Sequence, residues 1–217
     1  MIRFGWSSNL FFNSTRIRPS MPPRTSDDKA IKIMEAAGHV LANKGYMGTT
    51  INAVAQQAGV SRGLLHYYFK NKEDMLAKVL KKNMEISTQM IARIFQAPGD
   101  AAEYAREITE LLRGIMTRDP DFFHLFFEGY AVARHSTVVR EELSNMYGQF
   151  RKALESGLVE AADQGFIRPD MPAAPLAAVI TGLLDGMGLQ LLTEPDLADC
   201  PDIWVGVEQS IMGLLMS

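Results

Sequence analysis

From Thr25 onward, apolar residues recur three and four positions apart and no stretch alternates as a strand would, so the pattern predicts an all-α fold. The first predicted helix follows Ser26, a good N-cap with Asp27 and Asp28 in the positive end of the macrodipole. It lines up Ala30, Ile33, Met34, Ala37 and Leu41 and stops at Gly45. Thr50 opens a short second helix with Ile51, Val54 and Ala55 inward, which Gly59 ends by admitting the left-handed conformation. Ser61 caps a third short helix reaching Tyr68. Two such helices joined by a glycine-containing turn form a helix-turn-helix pattern. Neither is long enough to hold alone in water, so Ile51, Val54, Leu65 and Phe69 must pack on the first helix.

Asn71 caps a long fourth helix over residues 72–95, with Glu73 and Asp74 in its first turn and Met75, Leu76, Val79, Leu80 and Met84 inward. Further helices are expected at 100–117, 120–134, 137–164, 173–192 and 200–216. Asp119-Pro120 and Ser136-Thr137 supply starts, and Gly165, Pro169 and Pro172 supply a stop. The organisation is therefore a basic N-terminal arm at 1–24, a three-helix helix-turn-helix module at 25–71, and a larger helical domain at 72–217, which the family resemblance set out below makes the DNA-binding domain and the ligand-binding and dimerisation domain. Residues 1–24 carry four arginines and no acid, and lack the long apolar run of a signal peptide, so they read as a flexible arm.

Charge divides along the same boundary. The net charge of −3 conceals 13 Lys and Arg against 5 Asp and Glu in residues 1–83, and 9 against 20 in the rest. A +8 segment suits a polyanion, because cations near phosphates release condensed counterions. In a helix-turn-helix the second short helix enters the major groove. Ser61, Arg62, Gly63, Leu64, His66 and Tyr67 point away from the face held by Leu65 and Phe69, and Arg62 suits a bidentate contact to guanine. Thr50, Tyr67, Tyr68 and Lys72 suit phosphate oxygens, which fix register without reading sequence.

The run Gly45-Tyr46, Thr49-Thr50-Ile51, Val54-Ala55, Ala58-Gly59-Val60-Ser61-Arg62-Gly63 and Leu65-His66-Tyr67-Tyr68-Phe69-Lys70-Asn71-Lys72-Glu73 resembles, in order and spacing, the N-terminal domain of the TetR/AcrR family of regulators. The likeness extends over residues 26–76. It implies a dimeric all-α protein, usually a repressor, with DNA contacts at Thr50, Asn52, Ser61, Arg62, Gly63, His66, Tyr67, Tyr68 and Lys72. His66 departs from the family pattern, which most often has tyrosine there, and adds a group able to titrate near neutral pH.

The second half resembles the family's regulatory domain in architecture only. The helix at 172–192 is apolar on nearly every face, with Leu176, Val179, Ile180, Leu183, Leu184, Met187, Leu191 and Leu192. Asp185 at its middle and the absence of flanking positive charge speak against a membrane span. Packing with the last helix through Trp204, Val207, Ile211, Leu214 and Leu215, in a four-helix bundle with a second subunit, accounts for it better. Between 84 and 150 the composition turns soft and aromatic, and Met90, Ile94, Met116, Phe123, His124, Phe127, Tyr130 and Phe150 are the candidate ligand-binding residues, His124 with Glu128 supplying polarity.

The one cysteine, Cys200, fits a reducing cytoplasmic setting without a disulfide framework. His39, His66, His124 and His135 are scattered, so no metal site is expected; nor is a cofactor or catalytic constellation. The sequence thus points to a regulator that binds a pseudo-palindromic operator in double-stranded DNA as a homodimer and answers to a small-molecule effector. A repressor released by its ligand is favoured over a ligand-dependent activator, and over a small-molecule-binding protein with a vestigial DNA-binding module.

Overall fold

The computed structural model describes residues 25–119 and 121–216; the expected arm at 1–24 and the helix-starting role of Pro120 lie outside them. Among the described residues there are nine α-helices and no strand: α1 (Thr25–Gly48), α2 (Ile51–Ala58), α3 (Arg62–Tyr68), α4 (Lys72–Ile94), α5 (Ala101–Arg118), α6 (Asp121–Ala133), α7 (Thr137–Asp163), α8 (Ala173–Thr193) and α9 (Pro201–Leu215). A short 3-10 turn, Pro195–Asp199, joins the last two.

The local chemistry explains most boundaries. Thr50, Ser61, Asn71 and Ser136 each accept a backbone N–H with the side chain, from Ala53, Leu64, Asp74 and Val139, so that orphan donors of the first turn are paired. Asp100 and Glu103 add a reciprocal capping box to α5. Gly59 is left-handed, and the Val60 N–H closes back on Ala55 O. Gly45 has φ +65 and ψ 173, so α1 consists of two helical segments meeting at this residue. The helix already includes Thr25 and Ser26, which puts its start slightly before the expected cap.

Ile33, Ala37 and Leu41 of α1, Val54 of α2, Leu65 of α3 and Phe69 just beyond it are buried together, while Ile51 is half-buried against them. Thus two helices too short to persist alone are held by the apolar face of a long one. Helix α4 leaves this group through Met75, Leu76, Val79, Leu80 and Met84, all buried, and packs most extensively on α7.

The last two helices differ from expectation in which face they offer. Trp204, Val207, Ile211 and Leu215 are buried inside the chain, where α9 packs on α5, and Trp204 Nε1 donates to Ala198 O at 2.8 Å. They are therefore occupied within one subunit, because one apolar stripe can face only one neighbour. Exposed instead are Val179 and Leu189 on α8 and Val205 and Met212 on α9. Among the described residues α8 alone is long and apolar enough to cross a membrane, with mean hydropathy 1.5; only 39% of that window is buried within the chain.

Candidate DNA-reading face and effector cavity

Thr50, Asn52, Ser61, Arg62, Gly63, His66 and Tyr67 are all exposed, while Tyr68 and Lys72 are half-buried. Thr50 and Ser61 spend a hydroxyl lone pair on capping α2 and α3, which leaves each hydroxyl proton free to donate to a phosphate oxygen. Tyr67 is 83% exposed, too far for its ring to be serving the core. A Cβ on Gly63 would meet nothing within 4 Å, so the chain's own packing does not demand glycine there. Leu64, expected to point outward, is half-buried against the core.

Two lysines order the start of α4. The Lys72 ammonium lies 4.4 Å from the Tyr46 ring centroid and donates to Met47 O at 3.3 Å, which ties α4 to the end of α1 and sets the cation beside the cap of α2. Lys78 donates to Tyr68 O at 2.7 Å and to Asp74 at 2.9 Å, closing the end of α3 onto α4. Partial burial pushes the Asp74 carboxyl up, yet the Lys70 N–H and the Lys78 ammonium together hold it below its ordinary value.

A cavity of about 40 Å³ lies between α4, α5, α6, α7 and α8. Its wall is apolar: Met84, Leu111, Leu112, Ile115, Phe122, Phe123, Phe126, Phe150 and Leu184. Four polar side chains interrupt it, namely Ser87, Tyr147, Thr181 and Asp185. The Ser87 and Thr181 hydroxyls donate back to Asn83 O and Ala177 O of their own helices. Tyr147 donates to the Asp185 carboxylate at 2.6 Å. Burial pushes the Asp185 carboxyl up, against the Tyr147 hydrogen bond and Arg151. Burial and the negative charge of Asp185 push the Tyr147 hydroxyl up as well, so that it stays a donor.

Of the residues expected to line a ligand site, Phe123 and Phe150 stand in this wall. Met90, Ile94, Met116 and Phe127 are half-buried elsewhere, and His124 and Tyr130 are exposed. Helical phase accounts for the difference: on α6, Phe122 and Phe126 share a face one turn apart and stack at 5.7 Å, while His124 lies on the opposite side. The Asp185–Tyr147 pair escaped the sequence reading, although a single acid within an apolar helix was its visible signal.

The geometry is that of a helix-turn-helix joined by α4 to a helical body with an internal cavity, and the comparisons agree. The model for bacterial regulatory proteins of the tetR family matches residues 33–79, and the model for the C-terminal part of BetI-type transcriptional repressors matches residues 116–203. The chain belongs to the TetR family. A TetR-family protein of this organisation is a DNA-binding transcriptional regulator. The chain is 24% identical over 169 residues to the HTH-type regulator YfiR of Bacillus subtilis strain 168, covering 78% of this chain and 82% of that protein. It is 25% identical over 190 residues to the fatty acid metabolism regulator of the same strain, covering 87% and 94%. Among solved structures, FadR from B. subtilis in complex with stearoyl-CoA superposes with a TM-score of 0.70 at 22% identity, covering 87% of this chain and 98% of that one.

Proposed function

We propose that this TetR-family regulator is a cytoplasmic repressor that binds a pseudo-palindromic operator as a homodimer and is released when a small molecule enters the cavity among α4 to α8. The single observation that carries this reading is the exposed set on α2, α3 and their caps: six polar, basic or aromatic positions, including Arg62 and a Tyr67 that is 83% exposed, on a face the core does not use. Arg62 reads guanine in the major groove; Thr50, Tyr68 and Lys72 hold phosphates. The working division is a DNA-binding domain at 25–71 and a ligand-binding and dimerisation domain at 72–217.

The dimer forms through α8 and α9. Val179, Gly182, Gly186 and Leu189 make an exposed stripe along α8, and a Cβ on either glycine would meet nothing within 4 Å. Small residues at this spacing admit the close approach of a second helix, and burial of an exposed apolar stripe drives it. Two recognition helices about 34–36 Å apart then match one turn of DNA. The relative FadR, solved with stearoyl-CoA, supports a small-molecule effector, whose presence weakens operator affinity by the factor that DNA weakens effector binding.

Selection of genomic fragments by the purified full-length protein, followed by mobility shifts, tests the reading. A salt-sensitive complex on a two-fold symmetric site is expected, and Arg62→Ala combined with Lys72→Ala abolishes it. Unchanged affinity of the double variant overturns the assigned face.

A further inference from the structure

Helices α4 and α7 run side by side in the same direction. At one end Ser136, the cap of α7, donates to Glu73 in the first turn of α4 at 2.9 Å. At the other, Gly157 lies so close to Phe95, just beyond α4, that a Cβ there would overlap the ring. Lys72, the cation assigned to a phosphate, directly precedes Glu73 and is held to Tyr46 and Met47 at the end of α1. The corner between α6 and α7 therefore stands at the DNA-facing end of the body, beside a phosphate-holding lysine.

Charge is distributed to match. Residues 84–217 hold 9 Lys and Arg against 20 Asp and Glu, yet the two basic residues found between positions 119 and 150, Arg134 and Arg140, both fall at this corner. The backbone there is fixed: the His135 and Ser136 N–H groups donate to Val132 O at 2.9 and 3.0 Å, and Ser136 is buried. Arg134 stands exposed at the tip. The exposed Arg140 guanidinium folds back to donate to the Thr137 hydroxyl at 3.4 Å, which keeps its charge at the start of α7. The acids of the joint are occupied, Glu73 with Ser136 and Glu128 with the Tyr46 N–H. Glu141 and Glu142 follow on α7, but among the described residues no carboxylate lies within ion-pair distance of either guanidinium. Unpaired cations on a rigid turn of an otherwise acidic body suit a polyanion.

We infer that the α6–α7 corner is a second grip on the DNA backbone, in which Arg134 and Arg140 hold phosphates next to the one held by Lys72. This inference rests on the reading of α2 and α3 as the DNA face. Phosphates recur about every 3.4 Å along each strand, so cations at the neighbouring helix start meet the next ones while α3 keeps its seat in the major groove. The guanidinium fork suits a phosphate, which accepts two of its N–H groups at once. Such contacts carry no sequence information and add affinity that salt removes. An acidic protein surface would satisfy the same charge; continuity with Lys72 favours DNA. Because Arg134 follows the helix whose Phe122 and Phe126 line the cavity, a shift of α6 also moves this grip.

Fluorescence anisotropy of the full-length protein on its selected operator duplex, repeated across salt concentrations, tests this. Each phosphate contact contributes about 0.9 to the slope of log affinity against log salt. Arg134→Gln with Arg140→Gln removes two cations from each half of a dimer. It is expected to lower the slope by about 3–4 and to weaken binding at low salt at least about tenfold, equally on the operator and on an unrelated duplex. Arg134→Lys with Arg140→Lys, which keeps the charge, is expected to keep the slope. Arg106→Gln with Lys152→Gln removes the same charge away from the corner and is expected to change the slope by less than about 1. An unchanged slope in the glutamine variant, a change that this control matches, or a loss confined to the operator would each overturn the inference. The Arg62 and Lys72 substitutions separate the two readings. A complex that they abolish and the corner variant leaves untouched refutes the second grip alone; a slope lowered by the corner variant, with no effect of the Arg62 and Lys72 substitutions, refutes the α3 face alone.

Discussion

The Glu128 carboxylate of α6 accepts the backbone N–H of Tyr46 at 2.5 Å, across 82 positions of sequence. Tyr46 follows Gly45, where α1 breaks with φ +65, and a Cβ on that glycine would stand 3.3 Å from the same Glu128 oxygen. The break in α1, the missing side chain at 45 and the acid on α6 are thus one joint. A second joint lies beside it, where Ser136 donates to Glu73 at 2.9 Å. Helix α6 therefore touches the effector cavity with Phe122, Phe123 and Phe126 and the DNA-reading module with Glu128.

Glu128→Ala is expected to unpair the Tyr46 amide and destabilise the protein by about 1–2 kcal/mol. Amide hydrogen exchange reads this directly. Tyr46 and its neighbours should lose protection while α8 keeps its own; unchanged exchange at Tyr46 would show that the bond does not hold the joint.

A pH-dependent strain sits in the nearby cleft of about 280 Å³ formed by Glu35, Gly38, His39, Asn83, Asp119, Asp121 and Leu125. Burial, and then the charge of Asp121, push the Asp119 carboxyl from 3.8 up to about 6, against the Phe122 N–H. Folded Asp119 thus keeps its proton where the unfolded chain has released it, so its contribution to stability is lost as pH rises through about 6. Asp119→Asn, which keeps an acceptor for the Phe122 N–H, is expected to stabilise by about 1–2 kcal/mol above about pH 7, allowing for solvent screening, and by nearly nothing below about pH 4. Denaturant melts at the two pH values check the difference. An equal effect at both would remove Asp119 as its source.

Replacing Val179 and Leu189 together by glutamate puts two charges on each side of the α8 stripe. Sedimentation should then find a folded monomer with unaltered helical circular dichroism, and operator affinity should fall because two half-sites are no longer engaged at once. A dimer that persists would place the interface elsewhere.

The glycines of α8 separate two roles. At Gly188 an added methyl would fall within the Phe123 ring, so Gly188→Ala forces apart α8 and the cavity-lining face of α6, at a cost of about 1–3 kcal/mol. At Gly182 it would meet nothing within 4 Å of the same chain. Gly182→Ala should therefore leave the subunit at least as stable while weakening the dimer, and thermal melts taken across protein concentration distinguish the two substitutions.

The short helices α2 and α3, their caps at Thr50, Ser61 and Asn71, and the left-handed Gly59 were legible from order and spacing alone, because caps and turns act over three or four residues. The same locality carried the outward positions Ser61, Arg62, Gly63, His66 and Tyr67, but not Leu64, which packs against the core. Where an apolar helix has one buried face, as α4 does, periodicity also named the core correctly. The cavity was not legible in this way. Phe122 and Phe126 rather than Phe127 and Tyr130 border it because of how α6 is rotated against α4, α7 and α8, a choice that a helix with aromatic residues on several faces leaves open in its own sequence. Likewise, that Trp204 and Ile211 are buried where α9 meets α5 and leave Val205 and Met212 outward depends on which neighbour α9 packs against. Short-range hydrogen bonding and charge are written in adjacent residues; the partner of a long apolar face, and of Asp185 within it, is settled only when the helices pack, since burial drives association without direction.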